Sequence, residues 1–98
     1  MATKQKKLYL FANWKMYLNA RQSVAMAKAA LQSAKKLPRS VVVAVFPTAI
    51  ALTAVKKALP GKRIGVGAQN VYWVEQGGYT GETSARLFKE AGAAYALV

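Results

Sequence analysis

The sequence contains no cysteine and no histidine. The first absence excludes a disulfide framework and a thiolate metal site. The second removes any imidazole general base, Ser-His dyad or His-ligated metal that this chain could build alone. Aspartate is missing as well, so Glu75, Glu82 and Glu90 are the only carboxylates. Acid-base chemistry run by these residues unaided would be poor. Against three glutamates stand 15 lysines and arginines, a formal net charge of +12. Long hydrophobic runs are also absent: none is longer than Val41–Phe46, which is far short of the roughly 20 residues a bilayer span needs. Near the N-terminus, Lys4, Lys6 and Lys7 precede Leu8-Tyr9-Leu10-Phe11-Ala12, and Asn13 then interrupts. That run is too short for a secretory signal. The expectation is a cytoplasmic protein with no membrane partner.

What is present fits one packed domain. The 98 residues are 54% hydrophobic and 18% charged, a balance that argues against disorder. Four apolar runs recur, Leu8–Ala12, Val41–Phe46, Ile64–Ala68 and Ala94–Val98. Near-continuous hydrophobicity of this length is the pattern of strands buried on both faces. Helical patterns lie between them. From Ala20 to Lys36, Val24, Ala27, Leu31 and Ala34 share a face, with Asn19 and Gln22 spaced as a capping box. Thr48 is placed to cap a second helix, whose stripe is Leu52, Val55 and Leu59 and whose stop is Pro60-Gly61. Ser84 is placed to cap a third, with Leu87, Phe88 and Ala91 facing inward and Gly92 ending it. The order β-α-β-α-β-α-β predicts an α/β fold whose strands pair in parallel through right-handed crossovers.

In such sheets ligands bind at the carboxyl ends of the strands. That rule selects Asn13–Asn19, Pro47-Thr48 and Gln69–Glu82. Lys15 there could neutralise a phosphate or a developing oxyanion, with Asn13 two residues earlier, on the same side of an extended chain, offering both a donor and an acceptor. Alternatively, Asn13 begins a turn and Lys15 runs past Trp14 into water. The segment from Gln69-Asn70 through Gly77-Gly78-Tyr79-Thr80-Gly81-Glu82 is the longest loop, a functional projection or a plain surface excursion. Gly65-Val66-Gly67 lies within a strand and lacks the later glycine of a dinucleotide loop. Its glycines fit close packing instead. The pairs Lys35-Lys36, Lys56-Lys57 and Lys62-Arg63 fall at or just beyond helix C-termini, where they complement the helix dipole and remain solvated. They read as dispersed, although +12 favours association with any polyanion at low salt.

Three motifs carry a family resemblance, which runs from about Leu8 to Val98. They are Phe11-Ala12-Asn13-Trp14-Lys15-Met16; Ala68-Gln69-Asn70; and Gly78-Tyr79-Thr80-Gly81-Glu82, followed by Ser84 and Ala91-Gly92-Ala93. In this order they resemble the N-terminal part of the triosephosphate isomerase family. The resemblance implies the first half of a (β/α)₈ barrel, with strands one to four and helices one to three in residues 1–98 and truncation at the C-terminus. It implies a cofactor-free, metal-free homodimer that interconverts dihydroxyacetone phosphate and glyceraldehyde 3-phosphate through an enediolate. Lys15 would be the catalytic cation and, with Asn13, would bind the substrate. Gln69 and Asn70 would support them. Tyr79, Thr80, Gly81 and Glu82 would form the dimer loop, with Thr80 reaching the neighbouring site. The family's neutral histidine and its glutamate base, the standard worked case of such pKa tuning, would lie beyond Val98. The fragment alone would therefore be inactive. Tyr17, where the family usually has Asn, and the +12 charge depart from the pattern. The rival expectations are a small basic α/β module for polyanions or nucleic acid and a half-barrel assembly piece.

Overall fold

A computed structural model describes residues 6–98; Lys4 of the N-terminal basic cluster lies outside the described residues. The elements are β1 (Leu8–Asn13), α1 (Ala20–Ala34), β2 (Val41–Phe46), α2 (Leu52–Ala58), β3 (Ile64–Ala68), α3 (Ala85–Glu90) and β4 (Tyr95–Ala96). All pairings are parallel and the sheet order is β1-β2-β3-β4. Leu8 pairs with Val41, Val43 with Ile64 and Gly67 with Tyr95. A parallel four-stranded sheet in sequence order, with a helix after each of the first three strands, is the arrangement of the first half of a (β/α)₈ barrel.

Alternation along each strand splits the sheet into two faces. Outward-facing Val43, Val45, Ile64 and Val66 pack with Ala27 and Ala34 of α1 and with Leu52 and Val55 of α2, forming the main core. The opposite face is aromatic. The ring of Phe11 lies 5.6 Å from that of Phe46 and 4.9 Å from that of Tyr95. These rings fill the space that Gly65 and Gly67 leave open. A Cβ on Gly67 would overlap Cε2 of the Phe46 ring, and one on Gly65 would meet Tyr95 Cε2 at 2.7 Å. The close-packing reading of these glycines holds, with rings as the approaching groups.

Several local expectations meet their match. Asn19 caps α1, accepting from the Gln22 N–H at 2.8 Å while the Gln22 side chain accepts from the Asn19 N–H at 3.0 Å. Leu52, Val55 and Leu59 are all buried. Ser84 caps α3, accepting from the Leu87 N–H at 3.3 Å. Gly92, at φ 110°, ends it in a Schellman turn, with the Ala93 N–H donating to the Phe88 carbonyl at 2.9 Å.

Others are corrected. The β1 run is not buried on both faces: all six residues are exposed, because among the described residues β1 is an edge strand paired only with β2. The last run shortens to the two residues of β4, which pair only with β3. Helix α1 ends at Ala34, short of Lys36. Thr48 does not cap α2. A turn intervenes, Ala51 takes the N-cap position without a side-chain bond, and the buried Thr48 hydroxyl has no hydrogen-bond partner. Leu87 does not face inward. It is 44% exposed and lines a cleft under the long loop.

Candidate functional site

The carboxyl ends of β1, β2 and β3 converge on one rim. Asn13 is the last residue of β1 and pairs with Phe46, the last of β2. The chain then leaves the sheet, with the Trp14 N–H donating to the Phe46 carbonyl at 3.1 Å. Lys15 adopts φ 54°, the only left-handed non-glycine backbone among the described residues. A lysine costs of order 1 kcal/mol or more there unless its surroundings hold it. Two contacts do so. The Asn13 side-chain oxygen accepts from the Lys15 N–H at 2.9 Å, and the Gln69 amide donates to the Lys15 carbonyl at 2.9 Å. The same Gln69 nitrogen donates to the Phe46 carbonyl at 2.8 Å. One amide at the end of β3 therefore ties down the turn that carries the lysine.

The predicted pair is thus brought together, by a different route from the one expected. Asn13 and Lys15 do not share a side of an extended strand. The chain turns between them, and the amide–backbone bond closes an Asx-type turn. The turn reading of Asn13 is correct as local geometry, and among the described residues the Asn13 amide nitrogen has no hydrogen-bond partner. The Lys15 side chain is exposed at the same place. A fixed backbone with a free ammonium can present a positive charge to an anionic group without the cost of ordering the turn on arrival.

The remaining predicted residues lie apart from this pair. Asn70 is exposed and shares a small cleft of about 130 Å³ with Ala49, Gly81, Glu82 and Phe88. Tyr79 stacks on Tyr72 with ring centroids 4.8 Å apart, while Thr80, Gly81 and Glu82 are exposed. Among the described residues, no hydrogen bond joins Thr80 or Glu82 to Asn13 or Lys15. The loop is not a loose excursion. Its base is closed by the Tyr72 N–H donating to the Thr83 carbonyl at 2.8 Å and by a bridge between Tyr72 and Ser84. Exposed Met16, Tyr17, Ile50 and Trp73 surround the same end of the sheet, following β1, β2 and β3.

Sequence reasoning missed the work done by Gln69 and by Arg63. Gln69 stood out only through its motif; nothing in its spacing signals two carbonyl acceptors on different strands. Arg63 was grouped with the solvated basic pairs. Instead it is half-buried and donates to three carbonyls, those of Ala34 at 3.0 Å, Val41 at 2.9 Å and Pro38 at 3.3 Å.

Comparison with known proteins bears on the whole chain. The profile of the triosephosphate isomerase family matches residues 8–98. The triosephosphate isomerase of a Synechococcus species is 31% identical over 98 residues, covering 100% of this chain and 39% of that protein. That of Gloeothece citriformis is 38% identical over 96 residues, covering 95% and 39% respectively. That of Bdellovibrio bacteriovorus is 38% identical over 93 residues, covering 95% and 37%. The chain thus spans under two-fifths of the length of these relatives. The match takes in all four strands and the rim that they form, and the chain belongs to the triosephosphate isomerase family.

Proposed function

We propose that this chain supplies the first-strand part of the active site of a triosephosphate isomerase, which interconverts dihydroxyacetone phosphate and D-glyceraldehyde 3-phosphate through an enediolate. The observation that carries this reading is the tethered turn at the end of β1, where Asn13 and Gln69 hold the Lys15 backbone from both sides. On this reading the Lys15 ammonium binds the anionic substrate and stabilises negative charge as the carbonyl oxygen becomes an enediolate oxygen. The free Asn13 amide donates to a substrate oxygen. Gln69 and Asn70 support the rim. Proton transfer between the two carbons needs, on this reading, the family's histidine and its glutamate base; the 98 residues contain no histidine, and Glu75, Glu82 and Glu90 lie outside the Asn13–Lys15 turn. Residues 1–98 therefore act as a partial barrel domain, inactive by itself, in a cytoplasmic protein.

The intact enzyme is, on the same reading, a homodimer docked through Tyr79, Thr80, Gly81 and Glu82, with Thr80 entering the neighbouring site near its Asn13 and Lys15. Exposed apolar Met16, Tyr17 and Trp73 at that end support a protein partner there.

The test is turnover of glyceraldehyde 3-phosphate by the chain alone and by the chain mixed with the remaining barrel segment of a relative. The expected result is no turnover above buffer alone and measurable turnover on complementation. Lys15→Ala should then lower the complemented rate by about 10²–10³, the effect of losing one charge-stabilising group. Turnover by the chain alone, or a complemented rate indifferent to Lys15→Ala, would overturn the proposal.

A further inference from the structure

The cations that read as dispersed in sequence are gathered by the fold. In a parallel β/α sheet every helix ends, and every following strand begins, at the same end of the molecule. Lys6 and Lys7 stand there ahead of β1. Lys35, Lys36 and Arg39 fall between α1 and β2, Lys57 and Lys62 at the passage from α2 to β3, and Lys89 in the last turn of α3. All eight are exposed.

Two contacts show that these turns converge. The Arg63 guanidinium bonds at once to the last residue of α1, the first residue of β2 and Pro38 between them. The stem of Lys56 packs so closely on Gly92 that a Cβ there would meet Lys56 Cγ at 2.6 Å, joining the ends of α2 and α3. Negative charge is nearly missing from this end. Glu75 and Glu82 lie in the long loop at the opposite rim, and Glu90 is engaged by Arg86 at 3.7 Å. Among the described residues, no carboxylate pairs with any of the eight.

We infer that this end of the half-barrel is a polyanion-binding face that takes the phosphate backbone of nucleic acid without sequence preference. Complementing helix dipoles needs one cation in the last turn of each helix; Lys6, Lys7, Arg39 and Lys62 lie outside any helix and exceed that need. The turns 35–40 and 57–63 contain no aromatic residue, so those turns offer contacts to phosphates and none to base faces. They are turns and not an amphipathic helix, which removes the apolar face that binding in a lipid interface requires. Four strands at about 4.8 Å spacing give an end about 14 Å across. A duplex carries one charge per roughly 1.7 Å of axis, so that span meets about eight phosphates, about four of them on the near strand. The face is independent of the isomerase reading, because Lys15 occupies the opposite rim.

The test is fluorescence anisotropy of a labelled random-sequence DNA duplex titrated with the chain between about 50 and about 200 mM salt. Neutralising about four phosphates predicts a slope of log K against log salt of about −3 or steeper. Lys35→Ala with Lys36→Ala should make that slope shallower by about 2. Arg21→Ala with Lys28→Ala removes the same charge from α1 itself, away from this end, and should leave the slope nearly unchanged. All four side chains are exposed, and circular dichroism of both double variants checks that the comparison is between folded proteins. A wild-type slope shallower than about −1, equal effects of the two double variants, or capture by phosphatidylserine vesicles without duplex binding would each overturn the inference.

Discussion

Arg63 shows how much one side chain holds at the amino end of the sheet. Its guanidinium satisfies the Ala34 carbonyl at the end of α1, where helix carbonyls lose their intrahelical partners, and it also reaches Val41 and Pro38. Hydrogen bonds from charged donors contribute about 1.5–3 kcal/mol each, and half-burial reduces that. Arg63→Ala should therefore lower stability by about 2–4 kcal/mol, read as a fall in urea midpoint at unchanged m-value. Arg63→Lys should recover less than half of the loss, since one ammonium cannot span three carbonyls in a planar fork. Equal midpoints for wild type and Arg63→Ala would show the bracket to be idle. On the aromatic face the limiting quantity is space. Gly67→Ala puts a methyl into the Phe46 ring, and overpacking of that kind costs about 1–3 kcal/mol. A Gly67→Ala protein as stable as wild type would mean that Phe46 moves freely. Arg63 had no legible signal in the sequence, because its partners lie 22 to 29 residues away. Lys15 was legible as a candidate through its motif. Its left-handed backbone was not, because no residue pattern near it demands positive φ.

Elements were legible where burial decides them. The bounds of β2 and β3 agree with their apolar runs because each has neighbours on both edges and helices over its outward face, so hydrophobicity and structure stop together. The β1 run was read for the right element and the wrong environment, since sequence records what a strand is built to bury and not whether a neighbour is present. Thr48 had cap chemistry at a strand-to-helix passage, but the turn through Ala49–Ala51 delays α2 and strands its hydroxyl. By contrast, the capping box on α1 depends only on residues three apart and was fully readable. Asn19→Ala removes the acceptor for the Gln22 N–H and should cost about 1 kcal/mol, with a matching loss of ellipticity at the foot of the transition. Asn19→Ser or Asn19→Asp should restore most of it, as both retain a capping oxygen. A deficit that Asp does not rescue would place the role of Asn19 outside capping.

At the scale of the molecule, the sheet has two unpaired edges among the described residues and a helix layer that covers the middle better than the ends. Leu8, Tyr9 and Leu10 of β1 are between 56% and 68% exposed, part of an apolar run, Leu8–Ala12, on an edge with little to prevent strand addition. Beside it a groove of about 260 Å³, lined by Leu10, Trp14, Met26, Ala30 and Leu37, opens between β1 and α1. Opposing association is the +12 charge, whose mutual repulsion between copies is screened over about 10 Å at 0.1 M salt. The two effects respond in opposite directions to ionic strength. Apparent mass by sedimentation should therefore rise with protein concentration and rise further as salt is added, the reverse of the duplex-binding trend. Leu10→Lys puts a charge into both the edge and the groove without touching the main core. It should shift the onset of association to at least tenfold higher concentration, a change of about 1.4 kcal/mol. Leu87→Lys, also exposed but on α3 under the long loop, should leave that onset in place. A chain that stays monomeric at high salt would show that β1 is protected by contacts other than those of the sheet and α1. An onset moved equally by both variants would assign association to general hydrophobicity and not to the open edge.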